Sequence, residues 1–159
     1  MNKARMIGIG IVSIVVITLI VAVVYVGPIE ISKPQEKEKN PYEGWNTSGP
    51  FNINKFEYEL GTNIFISVDG LKRTDVGSMS FILPSGNTTY ISIPFDGSVK
   101  TAFNQYFKPG ISKARHICSV DDLVGQWTIK FQGTDYKPIK FTILNKTLVG
   151  EESYFERVC

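Results

Sequence analysis

From about residue 51 onward the chain alternates apolar and polar positions in short runs. In "NIFISVDG", Ile64, Ile66 and Val68 fall on one side and Phe65, Ser67 and Asp69 on the other. "SMSFILP" groups Met79, Phe81 and Leu83, and "TYISIPF" sets Ile91 and Ile93 against Tyr90 and Ser92. "GQWTIKFQG" directs Trp127, Ile129 and Phe131 one way and Thr128, Lys130 and Gln132 the other. "PIKFTILN" repeats this with Ile139, Phe141 and Ile143 against Lys140 and Thr142. Period two marks strands with one buried face, so Trp127, Ile129, Phe131 and Phe141 are expected in a core. The breaks "VDGL", "PSGN", "FDGS", "KPG" and "QGTD" carry the residues that turns require, and "QGTDY" is short enough to close a hairpin.

One segment is ambiguous. In "SVKTAFNQYFKP", Val99, Ala102, Phe103 and Tyr106 also fit a helical stripe, but the flanking β-branched and aromatic residues favour a strand. Several short strands at this spacing, with no long amphipathic helix, predict a mainly β protein. The expected fold is an Ig-like antiparallel β-sandwich over residues 51–159.

Residues 6–26, "MIGIGIVSIVVITLIVAVVYV", break the pattern with an apolar stretch that carries no charge. A helix of that length spans roughly 30 Å, the thickness of a bilayer's hydrocarbon core. In water so much Ile and Val would favour a strand, but a lone span in lipid has to satisfy its own backbone and is helical. A cleaved signal peptide has a shorter core and a small-x-small site, whereas this run ends in "VYVGP". The expectation is therefore one N-terminal transmembrane α-helix acting as a signal anchor. "NKAR" before the run is similar to an archaeal pilin-like leader, without the acid such leaders carry inside the apolar run. Lys3 and Arg5 precede the span, so residues 1–5 are expected to be a cytoplasmic stub, with the C-terminal domain extracellular. Residues 27–50, with four prolines and the charge run "KPQEKEKN", read as an extracellular linker. Tyr42 and Trp45 are the exceptions there, expected to pack on the domain or sit at the membrane interface.

Charge narrows the partners. Beyond the span the basic and acidic residues balance, so there is no electrostatic case for nucleic acid. The expected partners are the bilayer and proteins of the membrane or envelope. An outside location also fits three N-x-S/T sequons, at Asn46, Asn87 and Asn145, read as glycosylation candidates.

Candidate chemistry gathers in "RHICSVDDLVGQW", with the single histidine and one of two cysteines. On a strand, His116 and Cys118 would share a face. A blue-copper site needs two His and a Cys, usually with an axial Met; His116, Cys118 and Met79 fall one histidine short. Zinc lacks ligands in the same way, even with Asp121 or Asp122. Calcium needs about six oxygens, more than Asp121 and Asp122 supply, and the pair reads more simply as a turn or strand cap. No G-x-S-x-G elbow or phosphate-cradling loop is present. No catalytic residue, metal or cofactor is assigned, and the chain is expected not to be an enzyme. In an oxidising compartment Cys118 and Cys159 are expected to form a disulfide; free thiols, or a bridge to a partner through Cys159, remain as alternatives.

"DDLVGQWTIKFQGTDYKPIKF" then reads as the lead-in to a core strand. Leu123 plugs the edge, Gly125 permits a bend and Trp127 fills the core. Over these residues, about 20, the chain resembles the G-x-W/Y-x-(I/V)-x-(F/Y) strand of Ig-like and macroglobulin-type sandwich domains, including archaeal envelope proteins. Span, spacer and sandwich together are similar to small exported proteins of ammonia-oxidising archaea. The resemblance implies a fold and a location and carries over no catalytic residue. The function expected is a membrane-anchored extracellular binding or structural module, an accessory subunit of a membrane or envelope complex. The alternatives are a free-standing envelope or adhesion protein, a copper or redox protein using His116 and Cys118, and an archaellum- or pilus-associated stator component.

Overall fold

The computed structural model describes residues 40–159, and the expected stub and transmembrane helix of residues 1–26 lie outside them. Among the described residues no helix is long and apolar enough to cross a membrane. The chain from Asn40 to Cys159 forms one compact unit of nine strands: β1 Asn46–Ser48, β2 Phe51–Ile53, β3 Glu57–Leu60, β4 Ile64–Asp69, β5 Val76–Ile82, β6 Thr89–Asp96, β7 Ala102–Phe107, β8 Gly125–Gln132 and β9 Ile139–Thr147. Two sheets result, in the orders β1-β2-β4-β7 and β3-β9-β8-β5-β6.

The alternating runs supply the faces as their period demands. Ile64, Ile66 and Val68 of β4 are buried, as are Trp127 and Ile129 of β8 and Ile139, Phe141 and Ile143 of β9. They meet in one core shared by both sheets. Phe51 of β2 bridges the layers, stacking on Phe131 of β8 at 4.3 Å and tilting against Phe95 of β6 at 4.9 Å. Such aromatic pairs contribute about 1 kcal/mol each beyond the area they bury. Phe131, expected fully inside, is half-buried at the rim of this core. The ambiguous segment is strand β7, in register with β4 from Asp69↔Ala102 to Ile64↔Phe107.

The turn residues act where the sequence places them. Asp96 accepts the Ser98 N–H at 2.8 Å, fixing "FDGS" as a tight turn. Gly133 in "QGTD" sits at φ 86°, and a Cβ there would lie 2.3 Å from the Val76 carbonyl oxygen, so only glycine lets β8 turn against β5. β8 and β9 pair antiparallel across this link, with Trp127 opposite Phe141.

Two expectations are corrected. The sheets are not wholly antiparallel: β3 runs parallel to β9, Tyr58 beside Ile143, with a register shift between Glu59 and Leu60. The strand β2 belongs to one sheet and β3, a short step further on, to the other, so the chain changes layers there and meets β9 from the parallel side. The end of the expected linker is also part of the domain. Trp45 packs edge-on against Phe65 at 5.8 Å and Tyr42 against Trp45 at 5.2 Å, covering the outward side of β4. The Tyr42 hydroxyl lies 3.0 Å from the Ser67 hydroxyl. Apolar surface on that face of β4 draws in residues whose local composition reads as linker.

Tyr58 is buried at the β3–β9 seam, where its hydroxyl donates to Asn54 Oδ1 at 2.7 Å. Burial pushes its pKa up to about 12, against the lowering effect of the Lys55 N–H that donates to it. The neutral phenol is favoured in the folded state, so this contribution is intact below pH 10 and is lost as pH rises through the window up to about 12. The hydroxyl and its Asn54 partner are only part-buried, which trims the effect below the full value of the shift. A chemical denaturation series between about pH 9 and 12 should show stability falling by about 2 kcal/mol more than in Tyr58→Phe. Parallel curves for the two proteins would refute this.

Candidate functional site

Each sequence candidate in "RHICSVDDLVGQW" has a structural post. Instead of a strand, the segment forms two 3₁₀ turns, Lys113–Arg115 and Val120–Asp122, and Ser112 and Ile117 exchange backbone hydrogen bonds at 2.9 and 3.1 Å. His116 closes the first turn in a left-handed conformation, φ 58°, and its side chain is exposed. The strand that would set His116 and Cys118 on one face does not form here. Cys118 is bonded to Cys159, which removes the thiolate that copper or zinc would need. Met79 is buried in the shared core. Asp122 caps the second turn, accepting the Cys118 and Ser119 N–H groups at 2.7 and 3.1 Å, and both Asp121 and Asp122 are exposed. Among the described residues no cluster of three His, Cys, Asp or Glu side chains is placed to hold a metal ion.

Past this capped turn Leu123 is fully buried, and Gly125, at φ 124°, makes the bend expected of it. Trp127 then enters the core with its indole N–H donating to the Leu123 carbonyl at 2.7 Å. The whole segment is a corner that anchors the core strand.

The sequons differ in their surroundings. Asn87 is exposed in the β5–β6 hairpin and Asn145 is exposed on β9. Asn46 is half-buried, and its amide donates to the Lys140 carbonyl at 2.6 Å.

That last bond belongs to a larger asymmetry. On one flank the two sheets are joined: Asn46 and Ser48 of β1 donate to the Lys140 and Lys137 carbonyls, the second at 2.7 Å. On the other flank the end strands β6 and β7 belong to different sheets, and among the described residues no strand lies between them. The chain crosses from one to the other over residues 97–101, in a turn where the Lys100 N–H reaches the Asp96 carbonyl at 2.9 Å. A groove of about 690 Å³ opens there, lined by Ile93, Pro94 and Phe95 of β6 and Phe103 and Gln105 of β7. Val76 and Val99 at its margin are 49% and 73% exposed and carry its apolar lining out to the surface. Asp96 and Lys100 put one charge of each sign on its rim. Both Ser98 donors, the hydroxyl first, hold the Asp96 carboxyl below the usual carboxylate range.

A smaller cavity of about 340 Å³ lies beside the β8–β9 link. There the Tyr136 hydroxyl and the Lys72 N–H both donate to Asp75 Oδ2 at 2.9 Å. Burial, then the hydrogen bond to Asp75 and its charge, raises the Tyr136 pKa. These bonds tie the link to the β4–β5 loop and engage Asp75, while Thr134 Oγ1 is buried there without a hydrogen-bond partner and Asp135 is exposed. The groove between β6 and β7, about twice as large and with exposed apolar margins, is the stronger candidate. The alternation of "TYISIPF" marks β6, and the flanking β-branched and aromatic residues favour a strand at β7, but neither signal shows that both lie at sheet edges on one flank. No family model, curated protein or solved structure matches the chain.

Proposed function

We propose that this protein is a membrane-anchored extracellular binding or structural module with an Ig-like domain, which engages a protein partner through the open flank between β6 and β7. The single observation that carries the binding role is the groove of about 690 Å³ with exposed apolar margins. The strand order supports the Ig-like reading. With β2 and β3 as strands A and A′, β4 is B, β5 is C, β6 is C′, β7 is E, and β8 and β9 are F and G. The parallel A′–G pair then falls where the Ig fold has one, and strand D is lacking among the described residues. The Trp127 indole bonded to the Leu123 carbonyl takes the part of a tyrosine corner. The anchored, outside location rests on the apolar run 6–26, the basic residues before it and the disulfide, which belongs to an oxidising compartment. Glycans on the exposed Asn87 and Asn145 would fit that location, whereas Asn46 would have to share the amide that ties β1 to β9. As an accessory subunit, the protein would serve the complex its domain docks on.

Carbonate washing of native membranes followed by protease treatment of intact cells tests the reading. The chain is expected to stay with the membrane, and the domain is expected to be shaved from outside. Release by carbonate, or full protection in intact cells that is lost on lysis, would overturn it. Mild detergent extraction and native electrophoresis then separate a subunit, which runs in a large assembly, from a free-standing protein.

A further inference from the structure

Every open sheet must manage its edges, because an unpaired strand offers a row of N–H and C=O groups to any other chain. Here β1 is only three residues long and its side chains are tied to the β9 side. β3 carries Glu57 and Glu59 and a register shift. β6 carries Pro94 and a register shift in its pairing with β5. These are the usual protective devices: shortness, charge, proline and irregularity. β7, "AFNQYF", has none of them: it is six residues long, uncharged, without proline, and pairs with β4 in unbroken register.

We propose that β7 is the dimerisation edge, where the β7 of a second copy of this chain adds antiparallel across a two-fold axis. The proposal rests on the open flank being a protein-binding site and names what fills it. Charge favours a second copy. The chain has 17 basic and 15 acidic residues, and residues 1–39 account for Lys3, Arg5, Lys33, Lys37 and Lys39 and for Glu30, Glu36 and Glu38. Residues 40–159 are left with 12 of each sign and no net charge, so the like-charge repulsion that keeps copies of a protein apart is missing. The rim, with Asp96 and Lys100, selects neither an acidic nor a basic strand. An uncharged edge meets its own copy without conflict, and the four-stranded sheets become one continuous sheet through the pair. The groove-facing side chains Phe103 and Gln105 of each copy then cover the apolar margin of the other.

Symmetry fixes the register further. Directly opposed residues of antiparallel strands lie on the same face, so the axis has to pass a residue opposite its own counterpart. In the middle of β7 that residue is Asn104, on the outward face, or Gln105, on the groove face. Opposed Cα atoms are about 4.5–5.5 Å apart, within the reach of a disulfide.

The test places single cysteines at positions 103 to 106 of the full chain in detergent, with Ser85→Cys in the exposed β5–β6 hairpin as control. Mild oxidation should give a disulfide-linked homodimer that peaks sharply at one of positions 104 and 105, at least about tenfold above the control. Gln105→Lys, an exposed position where a charge leaves the core untouched, should weaken self-association about tenfold in sedimentation while the circular dichroism spectrum stays the same. Equal cross-linking at all sites, or a monomer at every concentration, would overturn the proposal. Cross-linking of the Asn104→Cys or Gln105→Cys variant to a different protein in native membranes would also overturn it, while leaving the binding-module reading intact.

Discussion

Trp127→Ala is expected to lower the unfolding free energy by about 5 kcal/mol. The side chain is fully buried, stacks on Phe141 at 5.7 Å and meets the Tyr90 ring edge-on at 5.3 Å. Truncating a buried tryptophan costs about 3–5 kcal/mol, because the cavity left behind collapses only in part. The indole N–H also satisfies the Leu123 carbonyl, which would be left unpaired at a cost of about 1–3 kcal/mol. Domains of this size are stable by about 5–15 kcal/mol, so the variant should lie at the edge of folding. Trp127→Phe separates the two contributions. It keeps an aromatic ring in the core and loses the donor, and is expected to cost about half as much. Urea titrations followed by circular dichroism would measure both. A Trp127→Ala variant within about 1 kcal/mol of the parent, on the order of an ordinary surface substitution, would show that the core does not depend on this corner.

Opening the Cys118–Cys159 disulfide is expected to be the next largest loss. The bonded residues are 41 positions apart, and closing a loop of that length in the unfolded chain corresponds to about 4 kcal/mol in the chain-entropy model. The folded tail has further attachments. Val158 N–H donates to the Cys118 carbonyl at 3.0 Å, Phe155 is buried in the core, and Lys108 pairs with Glu151 at 2.6 Å. The exposed ion pair adds little. The double variant Cys118→Ala, Cys159→Ala should therefore remain folded with Phe155 docked, while the last residues fray. Hydrogen exchange would show protection at Val158 lost first, with the Trp127 amide following only global unfolding. An unchanged denaturation midpoint would mean that the unfolded chain already holds these ends together.

Much of this fold can be read along the chain. Ile64, Ile66, Val68, Trp127, Ile129, Phe141 and Ile143 lie inside because period-two alternation is a local property of a strand with one wet face. The segment of β3, "FEYEL", carries the same signal: Tyr58 and Leu60 are buried and Glu57 and Glu59 are not. It is hard to recognise in the sequence because four residues give the period little room to show. Residues 40–50 mislead for the opposite reason. Their prolines, glycines and polar residues do read as linker, and only the outward ring of Phe65 gives Trp45 somewhere to pack. His116 and Cys118 resemble a pair because strand geometry would align them, yet the 3₁₀ turn and the left-handed His116 separate their roles.

The alternating strands β4, β5, β6, β8 and β9, their inward faces, the turns between them and the two cysteines available for bonding follow from the order of residues. Each of these depends on neighbours within a few positions or on a count. Which strands lie side by side emerges only when the chain is packed: β3 parallel to β9, β1 tied across to β9, and β6 and β7 left without a partner between them. A strand's period says which side faces the core but is silent about which edge meets which. That choice is settled by the crossing between sheets and by long-range packing, and here it leaves an uncharged edge beside an apolar groove.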